Sequence, residues 1–577
     1  MQYKQTLVVL SVLCFPFVSF SQTTTYLPQG AAENILLERM EIKAGTDSIL
    51  NFSKTKPYSR RQFIPVIEKY ADAGRAVQSA GEISPIADNA VQATNLVGSR
   101  LTRVDLYNAE LALQKNSEFS TRKFQSKKPI LNVFYKTPAN ALEVNAKDFF
   151  LVVNPVFQYT VGKEQNSTEH LFLNTRGITL RGYIANKVGF SAYVTDNQER
   201  DPKYVQSYVI ERQAVPGAGY YKEFKGTGLD YFDARGTITV NATKYIDVSF
   251  GYDKNFIGSG YRSLFLSDFA NNALFLRLNT RIWKLNYQNI FMELTNAHLR
   301  GGDHYLVKKY AAIHHLDASI TKWLNIGLFE GIVFGRPEHF DFSYLNPVIF
   351  YRSAEQQNGS SDNALVGLDA KANLAHHVQL YGQLLLDEFK LSELRKKWWG
   401  NKFAFQMGAK YIDAFGIDNL DLQVELNRVR PFTYSHSDSV ANWTHDNLPL
   451  AHPLGANFNE VLAGLRYQFA PKWLLQAKAF FYKQGRDTGR VSYGSNIFLP
   501  YGFPYRTSDY GFEVGSGALA KVAYASLLLS YQVRPNLFLE ANAVVRKQNA
   551  YGTMPSKNTT VLNIGVRWNM HRREFEF

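Results

Sequence analysis

From about residue 148 to the last residue, apolar and polar positions alternate in pairs of segments joined by short turns. Ile178, Leu180, Gly182 and Ile184 lead into Asn186-Lys187, and Val188, Phe190, Ala192 and Val194 lead out. Between them stand Thr179, Arg181 and Tyr183 on the first segment and Gly189, Ser191, Tyr193 and Thr195 on the second. Alternation at this period predicts strands with one apolar and one polar face. The polar face carries charge, which the interior of a soluble barrel would not tolerate. Lipid outside and water inside would write the chain this way.

The pattern recurs. Ile238, Val240 and Ala242 answer Ile246, Val248 and Phe250; Leu368, Ala370 and Ala372 answer Leu380, Gly382 and Leu384; Leu527, Leu529 and Tyr531 answer Leu537, Leu539 and Ala541. Tight turns are expected near Asn186, Thr243, Trp283, Lys322, His376, Gly416, Pro471 and Pro535. With a lone strand before them (Asp148–Val161) and one after (Asn558–Met570), this gives an all-β, antiparallel transmembrane barrel of about eighteen strands. An even count puts both barrel ends on the tight-turn side, the periplasm, and sends the longer segments, such as Arg336–Asp362 and Arg430–Asn459, outward.

The N-terminal part differs in kind. Lys4 precedes an apolar run from Leu7 to Phe20, and Ser19 and Ser21 suit cleavage after residue 21, so residues 1–21 read as an export signal. Cys14, the single cysteine, lies in that segment and leaves the mature chain without thiol chemistry. Residues 22–147 read as a mainly helical periplasmic segment beneath the barrel of residues 148–577. Ile35–Met40, Arg61–Tyr70 and Pro85–Lys115 carry the helical spacing, the last through Ala90, Val97, Leu101 and Val104. Phe577 is expected to be the aromatic end of the barrel, of the kind that assembly machinery reads.

Composition supports this placement. Phe (41) and Tyr (34) are abundant enough for aromatic girdles at both membrane interfaces. The net charge of +14 is read as basic loops facing anionic glycan or lipopolysaccharide. Nucleic acid is excluded as a partner because an exported barrel never meets it.

No catalytic motif stands out, and no cofactor or metal is expected. His314-His315 and His376-His377 are adjacent on strands, so each pair points to opposite faces. Asp387, Glu388 and Glu425 read chiefly as lumen carboxylates paired with Arg or Lys. The candidate glycan ligands lie mostly in the long loops: Arg336, Tyr344, Arg352, Arg430, Tyr434, His436, Trp443 and His452, with Glu425 beside them. Rings stack on the apolar faces of sugars, and guanidinium groups pair with uronate or phosphate. The same residues suit loops that fold inward and plug the barrel. The competing reading is an outer-membrane channel for small polar solutes.

The segment Ile257–Ser267, with Gly258-Ser259-Gly260 and Arg262-Ser263-Leu264, resembles the corresponding stretch of the capsule-assembly Wzi family. Leu328-Phe329-Glu330, Asn346-Pro347, Tyr381-Gly382-Gln383, Asp387-Glu388-Phe389 and Tyr434–Gly455 share the resemblance. Lys128–Lys136 and Asn154-Pro155 resemble Bacteroidota relatives of that family, which include the gliding-motility protein RemB. The resemblance implies an outer-membrane barrel of about eighteen strands, plugged by its own loops, that acts at the cell surface on polysaccharide; the missing catalytic motifs add the expectation that it is not an enzyme. Its finer branch implies surface motility, with motility or secretion machinery as partners.

Overall fold

The computed structural model describes residues 23–80, 89–336, 339–489 and 491–577. The export signal read at residues 1–21 lies outside them, as does the start of the helical stretch read from Pro85. Eighteen antiparallel strands close into a barrel, from Phe149–Glu164 to Lys557–Trp568. Closure is direct: Val561 pairs with Glu164 and Trp568 with Phe157. Before the first wall strand, Leu142–Ala146 pairs antiparallel with its opening residues, Leu142 opposite Val153.

The inverted pattern is what the wall displays. Ile238, Phe250, Leu368, Leu380, Val424, Leu529 and Ile564 are exposed on the outer face. Thr175, Asp247, Lys371, Gln383, Gln406 and Asn427 are buried toward the lumen. Asp369 pairs across the ladder with Gln383, and Gln383 with Gln406, so polar side chains face each other inside. Among the described residues no helix is long and apolar enough to cross a membrane, and the strands do the crossing. The protein sits in the outer membrane.

All eight expected tight turns are present, at the ends of strands such as His170–Ile184, Ile246–Asp253, Leu285–Thr295 and Leu537–Gln548. Trp283, Trp323, Phe415 and Trp473 stand exposed beside these turns, the aromatic girdle of the periplasmic interface.

Helices α1 (Ala32–Ala44), α2 (Arg60–Ala80), α3 (Asn89–Ser99) and α4 (Arg103–Lys115) pack into one cluster around Met40, Ile64, Ile67 and Leu113. The stretch read as one helix to Lys115 is broken at Thr102, which caps α4 by accepting from the Asp105 amide at 3.0 Å. The cluster is tied to the wall at the tight-turn end. Thr23 N donates to Asn186 O (2.8 Å), Asn51 Nδ2 to Lys322 O (2.6 Å), and Arg39 pairs with Asp413 (2.8 Å) and Asp421.

From the opposite end, the loop at 254–272, helix α5 (Lys203–Arg212) and the loop at 430–457 descend into the lumen and form its apolar core. Residues 569–577 leave the last strand and turn inward. Phe577 is buried against Tyr208 at 4.3 Å and Phe269 at 6.1 Å between ring centroids. It is therefore a lumen residue and not the end of a wall strand.

Candidate functional site

The deepest insertion is the glycine-rich loop. Phe256–Ile257 pairs with Thr55–Lys56 of the N-terminal segment, and the Gly258 amide donates to Lys54 O at 2.8 Å. The two plugs therefore meet inside the barrel. Glu425, on the wall strand Leu420–Val429, accepts from the amides of Tyr261 (2.7 Å) and Arg262 (3.1 Å) and from the Tyr381 hydroxyl (2.8 Å). A Cβ at Gly260 would lie 2.6 Å from Glu425 Oε2, so only glycine lets the backbone come this close. Glu425 thus clamps this loop through N–H and O–H donors, with no Arg or Lys among the described residues in ion-pair range.

The loop at 430–457 lies above it. Tyr434 and Trp443 are fully buried, the Tyr434 hydroxyl donating to Leu264 O and Trp443 Nε1 to Phe265 O, each at 2.8 Å. Trp443 meets Phe329 edge-on at 6.3 Å. Burial, with Asp387 nearby, pushes the Tyr434 hydroxyl well above its ordinary value. His452 is also fully buried, 2.8 Å from Glu460, and burial holds its imidazole below the ordinary range despite that carboxylate. Tyr434 and Trp443 bind the plug to itself, and His452 ties it to Glu460 on the wall strand Phe458–Ala470.

Arg336, Tyr344 and Arg352 lie elsewhere. Their loop starts at the outer rim and folds down the outside of the wall. Tyr344 and Tyr351 pack with Phe291, Ala312, Ile332 and Phe334, residues of the lipid-facing side. Arg336 bridges Asp341 (3.1 Å) and Asp362 (2.7 Å), and the Tyr344 hydroxyl donates to Asp362 at 2.7 Å. Arg352 is half-exposed and pairs with Glu355 at 2.9 Å. This loop neither plugs the lumen nor shares a surface with Tyr434 or Trp443.

Arg430 and His436 do converge, and on residues the sequence reading passed over. Arg430 donates to the backbone oxygens of Asn401 (2.7 Å), Trp398 (3.1 Å) and Phe512 (3.3 Å), locking three outer loops together. Trp399 tilts against Tyr501 at 4.7 Å, Tyr501 meets the His436 ring at 5.9 Å, and Arg506 stacks 4.2 Å over Trp399. Burial, then Lys402, holds His436 below its ordinary value. Trp398 and Trp399 are half-exposed, and Lys390, Arg395, Lys396 and Lys397 stand exposed around them with Phe503, Tyr505 and Tyr510. The signal was available in the tandem Trp398-Trp399 straight after three cations. This cluster offers aromatic faces at the outer surface, ringed by cations of which Lys390 and Lys396 pair with Glu393, Lys397 with Glu513 and Arg506 with Asp509. Among the described residues no group of three His, Cys, Asp or Glu is placed to hold a metal ion.

A family model described as capsule assembly protein Wzi matches residues 176–571. A solved structure of Wzi, an outer-membrane protein involved in group 1 capsule assembly in Escherichia coli and a carbohydrate-binding β-barrel, aligns with a TM-score of 0.55 at 12% identity. It covers 95% of this chain and 100% of that one. OprD from Pseudomonas aeruginosa aligns with a TM-score of 0.42 at 14% identity, over 74% of this chain and 97% of its own. No curated protein matches. With the matched model spanning most of the barrel, the chain belongs to the capsule assembly protein Wzi family.

Proposed function

We propose that this barrel binds surface polysaccharide at its outer rim, in capsule assembly, and does so without catalysis. The Trp398–Trp399–Tyr501–Arg506 cluster carries the reading. Indole faces accept the apolar C–H faces of sugars, while Arg506 and the surrounding lysines exchange their pairings with Asp509, Glu393 and Glu513 for uronate or phosphate. Many weak contacts along a repetitive polymer give retention that no single contact supplies. Of the residues first expected to touch glycan, Arg430 and His436 serve here by positioning the cluster. Arg352 is the remaining accessible candidate. The carbohydrate binding named for Escherichia coli Wzi supports the same reading. A lumen filled from both ends favours binding over conduction of small solutes. The family match does not speak to gliding motility or to a Bacteroidota branch, so the proposal is confined to polysaccharide.

The test replaces Trp398 and Trp399 with Ala and Arg506 with Gln together. Cell-bound polysaccharide is expected to fall severalfold while heat-modifiable migration of the barrel stays normal, with colony spreading scored alongside. Unchanged cell-bound polysaccharide with a normal barrel would refute the proposal.

A further inference from the structure

A cavity of about 340 Å³ lies between the N-terminal helices and the wall, in the size range of small-molecule pockets. Its lining includes Pro471, Lys472 and Asn536 of the tight turns, so it belongs to the periplasmic end, remote from the rim cluster. Its charge is lopsided. Glu33 and Asp253 are the only acidic residues of the lining, against many arginines and lysines. Several of those cations have carboxylate partners behind the surface: Arg39 has Asp105, Arg181 has Glu118, and Arg235 has Asp233.

Two guanidinium groups have none. Arg277 is 1% exposed, and its Nη1 donates to the neutral Asn255 Oδ1 at 2.9 Å. Its Nε and Nη2 have no hydrogen-bond partner among the described residues, and its plane sits 4.3 Å from the centre of the Tyr26 ring. Arg60, also buried, donates to Asn116 Oδ1 (2.7 Å), Thr25 Oγ1 (3.1 Å) and Tyr26 O, all neutral acceptors. Arg277 thus lies over the Tyr26 ring and Arg60 on the Tyr26 carbonyl, and no carboxylate among the described residues is in ion-pair range of either, although Glu118 and Glu33 act on Arg60 from further off. A buried cation without a counter-charge is costly, and an incoming anion removes that cost. Burial, then Arg181, pulls Arg60 down to about 9, and burial, then Arg235, pulls the lining Lys254 down to about 8. The rest of the lining is amide-rich, with Asn108, Gln468, Gln476 and Gln532 available to hydroxyl groups.

We infer that this chamber is a second binding site, which takes an anionic saccharide of one or two residues from the periplasm and seats its carboxylate or phosphate between Arg277 and Arg60. Full-length protein in detergent is titrated by calorimetry with digalacturonate, glucose 1-phosphate and maltose. Saturable binding of at least one of the two anions, with none of maltose, is expected, and whichever binds identifies the charged group. Arg60→Gln with Arg277→Gln is expected to weaken that binding at least tenfold, and Arg277→Lys to restore part of it. Heat-modifiable migration reports whether the variants fold. Should Arg277→Gln fail to fold, Arg60→Gln with Lys254→Gln carries the same expectation. Absence of saturable anion binding by the wild type, equal binding of maltose, or unchanged affinity in folded variants would overturn the inference. These results are independent of polysaccharide retention at the rim.

Discussion

The barrel is closed twice, and the two closures use different physics. The helical plug at the periplasmic end is tied to the wall by buried charge. Lys54 sits between Asp317 (3.0 Å) and Asp369, Lys371 pairs with Glu41 at 2.6 Å, and Arg39 reaches Asp413 and Asp421. The loop plug at the outer end relies more on apolar packing and on hydroxyl or indole donors to backbone oxygens, with buried carboxylates at its edge: Glu425 accepts from the Tyr261 and Arg262 amides, and Arg262 pairs with Glu460 at 3.3 Å. Phe265 stacks on Phe329 at 4.3 Å, and Tyr434 and Trp443 bond the chain on either side of that ring. The difference follows from the wall each plug meets. At the lower end the lumen offers Asp and Lys side chains, while Ala311, Ile313, Phe329 and Val333 line the upper part.

The largest expected effects come from removing the central residue of each closure. Lys54→Met leaves two buried carboxylates without their shared cation and is expected to cost about 3–5 kcal/mol, read as periplasmic-side protease cleavage within α1–α4 while the outer loops stay protected. Trp443→Ala is expected to cost about 3–5 kcal/mol through the cavity it leaves, with the opposite pattern of cleavage. Identical cleavage patterns in the two variants would dissolve the distinction between the closures. Tyr434→Phe is smaller, about 1 kcal/mol for one hydrogen bond, measured as a lowered unfolding midpoint in denaturant with the helical plug intact.

Acid should separate the closures by pH. His436 and His452 in the outer loops are held below the ordinary 6.5, so their contribution is complete above that pH and is lost as pH falls beneath it. Asp105 in the helical plug would be raised by burial, but Arg39 and Lys43 hold it below the ordinary 3.8. Its contribution is complete above 3.8 and is lost only as pH falls further. Hydrogen exchange is therefore expected to rise first in residues 430–457 and only later, below pH about 4, in the helices. Loosening of the helices first would contradict this assignment.

The wall was legible because alternation with period two survives even where single strands carry little signal, and because turns such as Asn186-Lys187 and Arg534-Pro535-Asn536 punctuate it. The site was less so. Tyr434, Trp443 and His452 have the composition of a glycan surface, yet aromatic packing inside a plug draws on the same residues, and only the three-dimensional path tells the two apart. The loop holding Arg336, Tyr344 and Arg352 carries no periodicity, so nothing in it signals a course down the outside of the wall. Trp398 and Trp399 read as part of a charged loop until Tyr501 and Arg506, about a hundred residues later, are brought against them. Phe577 looked like the end of a wall strand because the inward turn after Trp568 is set by Lys478 and Arg546, which hold Glu576 and the Phe577 oxygen inside the lumen.

Conductance in planar lipid bilayers tests the doubly closed barrel most directly. The wild-type protein, inserted at neutral pH, is expected to be nearly silent, with steady current only after Lys54→Met and Trp443→Ala are combined. A steady open channel in the wild type would contradict the account.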